Sequence, residues 1–294
     1  MNNVNGILLV VASMAAFTLE DTFIKKLSVD VSTAQIMIVL GLCCGLAFVV
    51  MAAVGRKPIF IAEAWRPLPL IRAASEALSA VAFISSLSLV DLSTVAAVFQ
   101  AMPLVATMGA ALFLKEQVGW RRWSAIGVGF IGVLLIIRPG FDGFKPEALL
   151  VVAAVLGVAG RDLITRFIDP KVPSAVIASQ AYLSLLLAGG AMVLFNPSDL
   201  SPVTQDQVIP YIGAVAFGIT GYYLIVVAMR IGEASAVTPF RYTRLLFSIL
   251  VGMMVFGERP DMLTMIGSTL IIGSGLYTFV RERRLAREAA LVPA

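Results

Sequence analysis

Ionisable side chains interrupt the long apolar segments of this 294-residue chain. If those segments lie in a bilayer, each charged group costs about 2.5 to 3.5 kcal/mol and normally faces a cavity or an opposite charge. Such groups can exchange partners as a gate, or brace neighbouring helices as fixed salt bridges. We predict a gate and keep the fixed brace as the alternative. The gate candidates are Glu20, Asp21, Glu76, Arg161, Asp162 and Arg241, and Asp162 with Arg241 is the preferred pair because the adjacent side chains of Arg161 and Asp162 are expected to point apart.

Two prolines indicate a cavity wall in the same kind of segment. Pro103 and Pro239 each free a backbone carbonyl, which must find a neighbour, water or solute within a membrane. By helical spacing, Gln100 lies on the face of Pro103 and Tyr242 on the face of Pro239. A wall of a solute cavity is one interpretation, and a kinked packing helix is the other.

Several kinds of chemistry are excluded by residues that the sequence lacks. It contains no histidine, which removes Ser-His and Cys-His nucleophile pairs and the common zinc and haem ligands. Cys43 and Cys44 are neighbours that cannot form an ordinary disulfide, so we expect them to be packing residues. No phosphate-binding G-x-x-x-x-G-K-[ST] motif is present. We therefore predict no catalytic residue, no metal, no cofactor and no enzymatic activity.

The elements that carry these residues are membrane helices. Hydrophobic residues make up 59% of the chain, charged residues 14%, and the mean hydropathy is +0.94, which excludes a soluble globular domain. Apolar segments of about 20 residues recur, as a bilayer-spanning helix requires. The sequence thus predicts an all-α integral membrane protein of ten transmembrane helices, at 4–24, 32–54, 69–89, 92–114, 120–137, 147–168, 174–195, 208–229, 234–256 and 262–280.

The distribution of basic residues predicts the orientation. With the N-terminus inside, the loops on the cytoplasmic side hold thirteen Lys and Arg residues and the opposite loops hold five. The net charge of +4 is too small to indicate nucleic-acid binding. We expect a multi-pass protein of the lipid bilayer with both termini in the cytoplasm and no nucleic-acid partner.

An internal repeat divides the chain into two halves. Ser93 matches Ser235 and Glu116 matches Glu258, both at an offset of 142 residues. Five helices per repeat insert the second copy upside down, as in many secondary transporters. We predict a first repeat at 1–140, an inverted second repeat at 141–280 and a basic tail at 281–294. The glycines Gly127, Gly129, Gly132, Gly267, Gly273 and Gly275 are expected to let helix backbones approach closely.

The order of elements within each repeat resembles a known family. A small-residue helix is followed by a span that ends in Glu, from Pro103 to Glu116 and from Pro239 to Glu258, and then by a Gly-rich span. This order resembles the EamA domain of the drug/metabolite transporter superfamily, twice, and the ten-helix layout is most similar to the YddG-type aromatic amino-acid exporters. The second copy departs from the first in having Leu245 where Pro103 aligns.

The resemblance implies a secondary transporter that exports amino acids, with aromatic and other apolar side chains accepted, by alternating access across a bacterial inner membrane. Such a substrate needs polar groups at one end of its site and apolar surface at the other. A transporter or channel for another small metabolite or drug-like solute remains an alternative, as does, more remotely, an intramembrane enzyme. A monomer is the working expectation. The candidate substrate-binding residues are Gln100, Tyr242, Arg244 and Ser79 as polar groups and Phe17, Phe83 and Phe99 as apolar wall.

Overall fold

The computed structural model describes residues 3–116, 118–139, 145–197, 200–231 and 237–290. Within these ranges the chain forms helices and no strands. Short 3-10 helices lie at Ala62–Trp65 and Thr238–Tyr242. The α-helices are α1 (Asn3–Leu27), α2 (Thr33–Val54), α3 (Pro67–Leu89), α4 (Leu92–Phe99), α5 (Met102–Phe113), α6 (Trp120–Ile137), α7 (Ala148–Thr165), α8 (Ser174–Phe195), α9 (Gln205–Ile231), α10 (Thr243–Phe256) and α11 (Met262–Ala290).

Ten membrane spans account for these helices, as predicted from the sequence. Each is long and apolar enough to cross a bilayer. Span four consists of α4 and α5, and span nine consists of the second 3-10 helix and α10, so both are broken helices. The sequence predicted each as a single helical span with a kink at Pro103 or Pro239. The predicted start of span nine at 234 and the predicted boundary between the repeats at 140 lie outside the described residues.

Helix pairing follows a two-fold pattern. The four most extensive contacts join α1 to α9, α2 to α8, α3 to α7 and α6 to α11, and α4 also contacts α10. In terms of spans, these pairs are 1 with 8, 2 with 7, 3 with 6, 4 with 9, and 5 with 10. Exchanging each span with the one five places later reproduces the same set of pairs. Such a set is what two equivalent five-helix repeats, related by a two-fold axis, produce.

One glycine pair lets two helices approach closely. A Cβ atom on Gly132 would come within 2.6 Å of the Gly267 carbonyl oxygen, so α6 and α11 can meet here only without side chains. Gly129 and Gly275 also lie against other residues, with Gly275 beside the Tyr242 hydroxyl. The expectation was wrong for Gly127 and Gly273, which have open space where a Cβ would lie.

Two ends of the bundle are distinguished by the residues that meet there. At one end, which we call the Lys25 face, the end of α1, the connection from α3 to α4 and the connection from α10 to α11 come together through Lys25, Val90 and Glu258. At the other, the Arg166 face, the ends of α7 and α5 meet through Arg166 and Glu116.

Candidate functional site

Two adjoining cavities of about 310 Å³ each occupy the interior of the bundle. The first extends to the Arg166 face, where Thr107, Arg166 and Phe279 line it. The second reaches Ile24 and Ile84 below the Lys25 face. Cavities of this size suit small organic molecules. The residues that line both are Phe17, Phe99, Met102, Arg241 and Arg244.

All thirteen site residues predicted from the sequence line one cavity or the other. Gln100, Asp162 and Tyr242 line the first cavity. Phe17, Phe99, Arg241 and Arg244 line both, and the second is also lined by Glu20, Asp21, Glu76, Ser79, Phe83 and Arg161. Their roles as substrate ligands or gate residues stay predictions.

Arg244 lies at the centre of an aromatic cluster between the cavities. Its guanidinium carbon is 5.4 to 5.8 Å from the ring centroids of Phe17, Phe83 and Phe99, within the range of cation–π attraction. One guanidinium nitrogen also donates to the Asp21 carboxylate at 2.6 Å. Arg244 and the three predicted apolar residues therefore meet in one place, where the Asp21 contact neutralises Arg244.

The broken spans place Gln100 and Tyr242 at equivalent positions, 142 residues apart. Span four breaks after Gln100, which ends α4, and span nine changes from 3-10 to α-helix after Tyr242. The Gln100 side-chain amide donates to the Arg241 carbonyl at 3.2 Å, which ties the two breaks together. Helix breaks that line a cavity expose backbone polar groups to solute or water.

The buried ion pairs correct the predicted arrangement of the gate residues. Arg161 donates to both oxygens of Glu76, at 2.7 and 3.0 Å, and to Asp162 at 2.7 and 2.9 Å. Arg72 lies 3.5 Å from Glu76. The expectation that Arg161 and Asp162 point apart was therefore wrong, because a long arginine side chain can turn back to its neighbour. Among the described residues, the preferred pair of Asp162 and Arg241 makes no salt bridge, although the two charges are close enough to attract each other electrostatically.

Ser79 is a poor candidate for a substrate ligand in this structure. Its side chain is buried, and its hydroxyl donates to the Ala154 carbonyl at 2.7 Å, across the contact between α3 and α7. A hydroxyl has one proton to donate, and this one is already used.

Glu258 closes the Lys25 face by capping α4. Its carboxylate, 5% exposed, accepts from the backbone amides of Leu92 (2.6 Å) and Ser93 (3.0 Å) and from the Ser93 hydroxyl (2.7 Å). These amides are the unpaired donors at a helix N-terminus, where negative charge is favoured. Lys25 lies 3.6 Å from the same carboxylate and donates to the Val90 carbonyl at 2.5 Å. One buried carboxylate therefore joins the end of span nine to spans one and four.

Glu116 occupies the equivalent position at the Arg166 face but is exposed. Its backbone amide bonds to the Ala110 carbonyl, as that of Glu258 bonds to the Gly252 carbonyl, 142 residues later. The Glu116 carboxylate pairs with Arg166 at 2.6 Å, with side chains 47% and 52% exposed. The closure at one face is thus buried, and its counterpart is solvated. From the sequence, both glutamates belong only to the family pattern, although their repeat offset and the match of Ser93 to Ser235 indicate equivalent positions.

A second ion pair lies on the Lys25 face, outside the membrane spans. Arg138, which follows α6, donates to Asp261, which precedes α11. This bond, with further bonds from Thr264, lowers the pKa of Asp261 to about 2.

Comparison with known proteins decides the family. The model of the EamA-like transporter family matches residues 4–138 and again residues 145–280. The chain belongs to this family. Membership, together with the ten candidate spans, makes it a multi-pass membrane protein of a transporter family in which each half of the chain matches the family model once. A solved crystal structure with 19% identity, a TM-score of 0.60 and coverage of 95% of this chain and 98% of that one shows the same fold.

The relatives of this chain are named for different substrates. An S-adenosylmethionine uptake transporter of Rickettsia conorii is 26% identical over 67% of this chain and 66% of its own length. A riboflavin transporter of Vibrio cholerae is 31% identical over 65% of this chain and 63% of its own. A riboflavin transporter of Brucella anthropi is 28% identical over 82% of this chain and 88% of its own. The chain thus spans just under two-thirds of the length of the first two relatives.

Proposed function

We propose that this EamA-like transporter is a carrier that works by alternating access, with the Lys25 face closed in the state described here. The observation that carries the proposal is the difference between two equivalent glutamates. The Glu258 side chain is 5% exposed and caps α4, whereas the Glu116 side chain is 47% exposed and pairs with an exposed arginine. Two related halves that differ in this way can exchange their roles, which opens one face as the other closes.

The predicted repeats and orientation complete this picture as proposals. The two-fold set of helix contacts supports inverted repeats at 1–140 and 141–280. The excess of basic residues, thirteen against five, supports a cytoplasmic Arg166 face and cytoplasmic termini in a bacterial inner membrane. In that orientation the described state faces the cytoplasm, and an exporter would load its substrate in this state.

Conversion between the two states also needs the interior charges to rearrange. Arg161 holds two carboxylates at once, Glu76 and Asp162, so it can give up one while it keeps the other. Arg241 lies beside this cluster and is a ready second partner for Asp162. We therefore retain Glu20, Asp21, Glu76, Arg161, Asp162 and Arg241 as the proposed gate, with the pairing revised to the observed one.

An amino acid or a metabolite that contains one is the substrate that this site favours. Charged groups and aromatic rings lie side by side around Arg244, as a solute with a polar end and an apolar end requires. S-adenosylmethionine, named for one set of relatives, combines an amino-acid end with an aromatic base. Riboflavin is the second candidate because the Phe17, Phe83 and Phe99 rings could stack on its ring system, and its transporters include the Vibrio cholerae relative with 31% identity.

Purified protein in liposomes tests the carrier function. Labelled amino acids, S-adenosylmethionine and riboflavin are offered with and without a pH gradient. A carrier gives saturable uptake that increases when unlabelled solute is present on the opposite side. Flux that rises in proportion to concentration, with no such exchange, identifies a channel and rejects the proposal.

A further inference from the structure

Two of the charged side chains that line the cavities have no partner in the ion pairs described above. Arg244 is neutralised by Asp21, and Arg166 by Glu116. The cluster of Arg72, Glu76, Arg161 and Asp162 contains two positive and two negative groups that contact one another. Glu20 and Arg241 are left, and neither side chain has a hydrogen bond or salt bridge within the described part of the chain.

Both residues line the second cavity, from opposite repeats. Glu20 extends from α1 towards α9, where a Cβ on Gly218 would lie 2.6 Å from its carboxylate. Arg241 lies in the 3-10 helix that begins span nine and lines both cavities. Both residues are partly accessible to solvent and line this cavity. The two charges are opposite and sum to zero.

The repeats do not share these charges, so they are not a requirement of the symmetric fold. At the offsets of 141 and 142, Glu20 aligns with Arg161 and Phe99 aligns with Arg241. An unpaired charge in a membrane interior is costly, and a protein keeps one where a ligand or ion supplies the missing partner. Two opposite unpaired charges in one cavity fit a solute that itself carries both signs.

We propose that Glu20 and Arg241 bind the ammonium and carboxylate groups of a zwitterionic substrate. The inference rests on the proposed carrier function and deepens it. The aromatic rings around Arg244 lie in the same cavity and would contact the apolar remainder of the solute. A solute with only one of the two charges leaves either Glu20 or Arg241 without a partner and is rejected.

Three matched probes test the assignment in liposomes that contain the full-length protein. L-phenylalanine carries both charges, phenethylamine lacks the carboxylate, and 3-phenylpropanoate lacks the ammonium group. Each competes with labelled L-phenylalanine for wild-type protein, Glu20→Gln and Arg241→Gln. Glu147→Gln and Arg259→Gln are matched controls because both residues are exposed and line neither cavity.

The wild type should bind L-phenylalanine about ten- to a hundredfold more tightly than either singly charged probe. Arg241→Gln should lose the preference over phenethylamine and keep that over 3-phenylpropanoate, and Glu20→Gln should show the reverse. Transport of L-phenylalanine with unchanged preferences in both variants overturns the assignment. Saturable transport of riboflavin and of no zwitterion also overturns it but leaves the carrier function intact. Absence of saturable transport of any solute counts against the carrier function itself.

Discussion

Replacing Glu258 by glutamine should open the Lys25 face. The carboxylate accepts three hydrogen bonds of 2.6 to 3.0 Å and faces Lys25, and each bond to a charged group is worth about 1.5 to 3 kcal/mol. A glutamine has one acceptor oxygen and an NH2 group that cannot accept from the amides of α4. If half of the capping energy is kept, the closed state loses about 3 kcal/mol, which is roughly a hundredfold in the ratio of closed to open protein.

Glu116→Gln is the matched control at the opposite face. Its pair with Arg166 is about half exposed at both side chains, and exposed ion pairs contribute about 0.2 to 1 kcal/mol. The same chemical change at the equivalent position should therefore move the equilibrium by less than about fivefold. The comparison separates the burial of the cap from the loss of a charge.

Labelling of a single cysteine measures the opening. Ile84 lines the second cavity below the Lys25 face and is 4% exposed, so Ile84→Cys reports access from that side. The reporter is placed in protein with Cys43→Ser and Cys44→Ala, and a membrane-impermeant maleimide is added at the Lys25 face. The labelling rate should rise at least about tenfold in Glu258→Gln and stay within about twofold in Glu116→Gln. Equal rates in the two variants, in protein that still folds, would show that the Glu258 cap does not hold the Lys25 face closed.

Three further changes test the packing and the loops. Gly267→Ala should lower the free energy of unfolding by about 1 to 3 kcal/mol through overpacking, while Gly127→Ala, which has open space, should be neutral or slightly stabilising in the same thermal scans. Lys115 has a φ of 55°, so Lys115→Gly should stabilise by about 1 kcal/mol, seen as a higher melting temperature, and no increase would contradict the strain. The lowered pKa of Asp261 gives stability that is present above pH 4 and lost as the pH falls towards 2. Because the Asp261 side chain is 49% exposed to solvent, Asp261→Asn should lower the free energy of unfolding by less than about 1 kcal/mol at pH 7 and by nothing near pH 2. A difference between variant and wild type that stays constant with pH would exclude the pair with Arg138.

The spans and the cavity wall could be predicted because they depend on local sequence. Hydropathy marks membrane helices regardless of their neighbours, and the described residues contain ten candidate spans where ten were predicted. Helical depth and spacing likewise placed Gln100 and Tyr242 on a cavity. Charged side chains in apolar spans must face a cavity or an opposite charge, and the charged residues predicted on this ground line the two cavities.

Contacts between distant helices could not be predicted in the same way. The partner of Arg161 depends on which side chain of α3 lies opposite it, and the sequence does not give that register. Spacing rules say that adjacent residues on a helix point apart, but they ignore the reach of an arginine to Asp162. Whether Gly127 meets a helix or open space depends equally on the packing. The role of Glu258 needed the position of the α4 N-terminus, which only the fold supplies.

A reversible lock at the Lys25 face tests alternating access most directly. Cysteines replace Lys25 and Glu258 in protein without Cys43 and Cys44, and a short cleavable crosslinker with a thiol-reactive group at each end joins them in liposomes. Exchange of labelled for unlabelled solute is then measured for the solute that gives the strongest saturable uptake. With alternating access, exchange stops when the lock is complete and returns when the reagent is cleaved. Exchange that continues at the same rate in fully locked protein would contradict it.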